Sequence, residues 1–222
     1  MIKTTFTLIL FLFNSLIILG QKIPTPVNYL VIDTVSGDLD NDGKKELVVA
    51  YNTKPEDESQ ESVPRELIIY KFQNNQWLTW KTSHQALYGS RDGGMMGDPF
   101  GDIEIKKGIL LISQNGGSSW KWAFTDKYRY QQGDFYLIGY TTVFGKPCEY
   151  WTNVDFNVST GKMLVKKEYE ECKTEEQKIY KREFETVYKK GLKITLQNRS
   201  EKEIKIVTPL YKHEIYIANK VE

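Results

Sequence analysis

Hydrophobic and polar residues alternate along most of this chain, and short clusters of Gly, Asn, Asp and Ser cut the alternation into runs. That period of two belongs to half-buried β-strands rather than to helices. The first four runs cover residues 29–34, 46–52, 66–72 and 77–82, the last two joined by the polar turn Gln73-Asn74-Asn75-Gln76. They predict a four-stranded antiparallel unit, with residues 54–64 as an acidic and polar connection. Runs at 103–105, 108–114, 119–130 and 135–142 predict a second unit, whose long hairpin turns at Gln131-Gln132-Gly133-Asp134. A further hairpin pairs 150–157 with 162–169. Charges crowd 170–182, where the pattern offers only a short helix or a charged loop. Beyond it, Phe184, Thr186 and Tyr188 are expected to face Leu192, Ile194 and Leu196 across Lys189-Lys190-Gly191, and Ile204, Ile206, Leu210, Ile215 and Ile217 mark two last strands.

The expected fold is therefore all-β, built of antiparallel hairpins, with at most one short helix after the leader. One domain over 21–222 is predicted, with sub-units 23–85, 98–170 and 180–222. The 14 Tyr, 10 Phe and 5 Trp reinforce this, because aromatic side chains favour the pleated, half-buried surface of strands.

The N-terminus changes the expected location. Met1-Ile2-Lys3, an apolar stretch over 8–19 broken only by Asn14 and Ser15, and Gly20 together read as a signal peptide over 1–20, cleaved after Gly20. The stretch falls short of the roughly 20 residues of a spanning helix. A secreted, periplasmic or extracellular protein with no integral span after cleavage is expected. In that compartment the two cysteines, Cys148 and Cys172, are expected to form one disulfide. The net charge of +1, with Lys and Glu interspersed, gives no extended field of one sign and argues against a nucleic-acid partner.

The most specific chemistry lies in Asp38-Leu39-Asp40-Asn41-Asp42-Gly43-Lys44-Lys45-Glu46-Leu47. Calcium takes six to eight oxygen ligands at about 2.3–2.6 Å, and a short loop meets that demand from alternate positions around a sharp glycine turn. Asp38, Asp40 and Asp42 supply carboxylates, Lys44 a backbone carbonyl and Glu46 a further carboxylate. With Gly37 before it and Val48-Val49 after it, this stretch resembles the DxDxDGxx(D/E)L loop of FG-GAP and VCBS repeats. The resemblance implies bound Ca2+ between two strands and a propeller-like blade. It departs from EF-hand loops at the twelfth position, where Val49 replaces the bidentate glutamate. No second DxDxDG follows, although 97–102 has the look of a degenerate copy, so the expected architecture is a partial or open propeller-like stack, with a β-sandwich as the alternative.

Two further places carry candidate chemistry. Asn115 precedes Trp120 and Trp122, whose alternation puts both rings on one face, suited to stacking on a glycan or a protein partner or to filling a core. Asp98 and Asp102 are a carboxylate pair of the kind a hydrolase of extracellular polymer needs. No GxSxG or HExxH occurs, and His84 and His213 stand alone. A non-enzymatic, calcium-stabilised binding or structural module of the envelope or extracellular space is the leading expectation, and the hydrolase is the alternative.

Overall fold

The computed structural model describes residues 22–58, 61–172 and 178–218. The expected leader lies outside the described residues. Strands β1 (Leu30–Gly37), β2 (Glu46–Asn52), β3 (Arg65–Gln73) and β4 (Gln76–Ser83) form one antiparallel sheet in chain order. The two inner strands are buried on both faces, which is why their sequences run apolar without a break. Val48, Ala50, Leu67 and Ile69 face the main core. Val49, Tyr51, Ile68 and Tyr70 face a smaller cluster that Ile23 and Tyr29 of the N-terminal segment cover. Tyr29 anchors that segment by donating to Glu66 Oε2 at 2.8 Å.

Seven more strands follow as one antiparallel meander. They are β5 (Phe100–Lys106), β6 (Ile109–Gly117), β7 (Lys121–Gln131), β8 (Asp134–Lys146), β9 (Tyr150–Asn157), β10 (Lys162–Glu171) and β11 (Lys178–Tyr188). A short hairpin, β12 (Ile204–Val207) with β13 (Glu214–Ala218), completes the set. Among the described residues the only helical pieces are three-residue 3-10 turns at Gly94–Met96 and Leu196–Asn198, and no helix is long and apolar enough to cross a membrane. The all-β, antiparallel expectation holds. No sheet closes on itself, and the arrangement is an open, sandwich-like stack. One core runs through it, from Leu39 and Val48 through Ile112, Tyr128, Phe156 and Met163 to Ile206 and Ile217. The edge strands β1 and β5 meet, with the Ile103 N–H donating to Asp33 Oδ2 at 3.4 Å, so each sheet shields one edge of the other.

Two local expectations are corrected. Of the charged stretch 170–182, residues 173–177 lie outside the described residues, and strand flanks them: β10 continues to Glu171 and β11 begins at Lys178. Charges on these strands face cross-strand partners, since Glu168 lies opposite Arg182 and accepts from its Nε at 2.9 Å. Likewise Phe184, Thr186 and Tyr188 pair with β10 and not with 192–196. Ile194 and Leu196 instead enter the core between the sheets, where the Ile194 carbonyl accepts from Leu137 N at 2.8 Å.

Candidate functional site

The acidic loop joins β1 to β2, and Gly37 and Glu46 close its base as register partners. Each aspartate spends one oxygen on the loop backbone. Asp38 Oδ2 accepts from Gly43 N at 2.9 Å, Asp40 Oδ1 from Asp42 N at 3.3 Å, and Asp42 Oδ1 from Lys44 N at 2.8 Å. Gly43, at φ +83°, makes the reversal that a side chain would strain. The result gathers one oxygen from each of Asp38, Asp40 and Asp42 within 4.8 Å of one another. Asp38 Oδ1 is buried with no hydrogen-bond partner. A buried carboxylate oxygen without a donor costs desolvation energy that a hydrogen-bond donor or a bound cation recovers.

Glu46 is not part of that group of three. Its Oε2 accepts from Leu39 N at 2.7 Å, and its side chain is almost fully buried. Burial raises its carboxyl pKa, the Asp40 and Asp42 charges add to the rise, and the Leu39 N–H and Lys71 oppose it. Lys44 enters the loop through its backbone N–H on Asp42.

A residue that the sequence reading missed sits beside the aspartates. Lys71, from β3, is ion-paired to Asp40, with its Nζ 3.9 Å from Asp42 Oδ2 and 3.9 Å from Glu46 Oε1. The ammonium also lies 4.1 Å from the centre of the Trp80 ring. Burial alone would lower its pKa, but Asp40 above all, with Glu46 and Asp42, reverses the sign and holds it charged. Lys71 therefore neutralises part of the loop's charge while leaving Asp38 Oδ1 unanswered.

The aromatic residues divide differently from expectation. Trp120 stacks on Phe144 at 5.4 Å and packs on Tyr150 at 5.0 Å, while Trp122 stacks on Phe124 at 5.8 Å and meets Tyr88 edge-on at 5.7 Å. Both rings lie on the inner face of the large sheet, Trp122 by its place in β7 and Trp120, just before that strand, through its contacts with Phe144 and Tyr150. Asn115 does not join them. Its register partner is Ala123, whereas Trp122 lies opposite Gly116, and Asn115 lines a shallow depression on the outer face. Its neighbour Gln114 points inward instead, accepting from Tyr88 N at 2.8 Å and donating to the Ala86 carbonyl at 3.1 Å. The inner face, the Tyr88 loop and the β12–β13 hairpin enclose a cavity of about 710 Å³.

No family model and no curated protein matches this chain. Its chemistry is read from these side chains.

The two remaining carboxylates differ in their settings. Asp98 receives two hydrogen bonds from the buried Arg65, at 2.7 and 2.6 Å, and accepts from Phe100 N at 2.8 Å. Asp102 is exposed on β5. Residues 97–102 thus lead into a strand edge, and no second acidic cluster of metal-ligating geometry forms among the described residues. Cys148 and Cys172 are disulfide-bonded, tying the β8–β9 turn to the residue after β10.

Proposed function

We propose that this protein is a secreted, non-enzymatic β module whose 38–46 loop takes calcium as an FG-GAP-type loop does, and whose stabilised sheets present a binding surface. The observation that carries the reading is Asp38 Oδ1, a buried carboxylate oxygen without a donor beside the clustered Asp40 and Asp42. Three carboxylates held this close suit a hard divalent cation with oxygen ligands. Asp38, Asp40 and Asp42 would hold it, with the Lys44 carbonyl completing the turn, and Glu46 would act from behind by fixing Leu39. The ion supplies charge neutralisation and a tie between β1 and β2. The disulfide accords with an oxidising compartment.

Thermal unfolding of the chain from Gln21 onward, in calcium and in excess chelator, tests this. An ion at about 100 times its dissociation constant contributes about 2.7 kcal/mol, which for a domain of this size raises the melting temperature by about 5–10 °C. Asp38→Asn, which leaves the Lys71 ion pair in place, should lose most of that rise. Equal melting of the wild-type protein in calcium and chelator would refute the reading.

A further inference from the structure

We propose that the cavity between the inner sheet face and the β12–β13 hairpin binds a small flat organic anion, an apolar aromatic ring bearing one carboxylate, sulfate or sulfonate group, with Lys167 as the anion's partner. The inference depends on the binding-module part of the preceding reading and not on its calcium part.

Size and lining come first. About 710 Å³ falls inside the range of small-molecule sites, roughly 300–1,000 Å³. Trp122, Phe124, Tyr140, Phe144, Tyr150 and Tyr88 supply the walls, and their mutual tilted and edge-on contacts leave rigid ring surfaces of the kind that bind flat molecules at little entropic cost.

The charges decide the sign of the guest. Arg199, which also lines the cavity, is already neutralised by Asp126 through bonds of 2.6 and 3.1 Å. Of the acids there, Glu214 pairs with Lys205 at 2.6 Å, whereas Asp92, on the Tyr88 loop, accepts from Gly89 N at 2.7 Å and keeps its charge, so an anion is favoured on the Lys167 side of the cavity. His213 is bonded to Glu183 Oε2 at 2.7 Å. Lys167 differs from all of these. Its Nζ stands 3.7 Å from the Tyr150 ring centre and 5.0 Å from that of Tyr169, and no carboxylate pairs with it among the described residues. Glu183, its cross-strand neighbour, is committed to Lys181 at 2.6 Å, to Tyr169 at 2.9 Å and to His213. Burial draws the Lys167 ammonium below the usual lysine range, against the pull of Glu183. A desolvated cation facing an aromatic cavity favours an anion there.

The probe pair is 8-anilinonaphthalene-1-sulfonate and N-phenyl-1-naphthylamine, the same ring system with and without the acid. Each is titrated by fluorescence into the wild-type protein and into Lys167→Met, Lys167→Arg and Trp122→Ala, in calcium and again in chelator, with near-ultraviolet circular dichroism verifying the fold of every variant. The wild type should bind the sulfonate saturably at one site. Lys167→Met should weaken the sulfonate about tenfold and change the uncharged probe less than about twofold, Lys167→Arg should retain the sulfonate, and Trp122→Ala should weaken both. Absence of saturable binding, or equal sulfonate affinity in the wild type and a folded Lys167→Met, overturns the proposal. Because the comparison is internal to each buffer, failure of the calcium reading leaves it intact, and the melting experiment likewise stands if the cavity binds nothing.

Discussion

Arg199 clamps Asp126, 73 residues earlier in the chain, through its Nε at 2.6 Å and an Nη at 3.1 Å, with both side chains nearly inaccessible to solvent. The guanidinium carbon lies 5.5 Å from the ring centres of both Phe124 and Tyr140. This pair fixes the segment between β11 and β12 to the middle of the large sheet. Removing one member of a buried pair leaves a charge uncompensated, so Arg199→Met should cost about 3–5 kcal/mol in urea unfolding. The double variant Arg199→Met/Asp126→Leu should recover much of that loss. A single variant as stable as the wild type would show that the pair does not hold the segment.

Lys71 makes the calcium reading quantitative. Replacing it with Met removes the only cation beside Asp40 and Asp42 among the described residues and leaves their repulsion unbalanced. In chelator Lys71→Met should be about 1–3 kcal/mol less stable than the wild type, and calcium should raise its melting temperature by more than it raises that of the wild type. Equal calcium shifts in the two proteins would mean that Lys71 and the ion do not share the loop's charge.

Reduction tests the covalent tie. Cys148 and Cys172 are 24 residues apart in sequence, with Cα atoms 5.3 Å apart, and closing a loop of that length contributes about 3 kcal/mol in the chain-entropy account. Cys148→Ser/Cys172→Ser should unfold at correspondingly lower urea. The untreated protein should take up no alkylating reagent when denatured without reductant.

Acid should loosen the β12–β13 hairpin first. Burial alone would raise the carboxyl pKa of Glu183 and Glu185. Lys181, Tyr169 and His213 hold Glu183 below its ordinary value, and the Leu210 N–H, the Thr208 hydroxyl and the Tyr211 N–H do the same for Glu185. A carboxylate with a depressed folded-state pKa contributes stability that is complete above its unfolded value and is lost as pH falls through the folded one. These contacts include the Leu210 N–H to Glu185 bond of 2.6 Å and His213 to Glu183. Hydrogen exchange at Ile206 and Ile215 should therefore quicken below the ordinary glutamate range while Ile112 and Tyr128 stay protected. Simultaneous loss of protection at all four would remove the hairpin as a separately titrating unit.

Local signals were the legible ones. The acidic cluster is readable because its aspartates and glycine lie within a few residues, and the strands over 103–169 because alternation alone defines them. Lys71 is not readable, since its partner Asp40 is 31 residues away and only the β2–β3 pairing brings them together. The stretch 192–196 failed for a related reason: Ile194 and Leu196 alternate identically whether they pair with Tyr188 or plug the gap between sheets. Charge misled over 178–182, where cross-strand ion pairs make an edge strand look like a solvated loop. Asn115 was grouped with Trp122 by nearness in sequence, although register sets them on opposite faces.

The turn between β5 and β6 bears on the acidic loop from the other sheet. A Cβ at Gly108, where φ is +72°, would come 3.3 Å from Asn41 Oδ1 and 3.4 Å from the Asp38 carbonyl. The tip of one sheet's hairpin is thus moulded against the backbone of a loop some seventy residues earlier. Position 108 should stay glycine in a lineage whether or not it keeps the aspartates, because the positive φ and the Asp38 carbonyl remain when their side chains change.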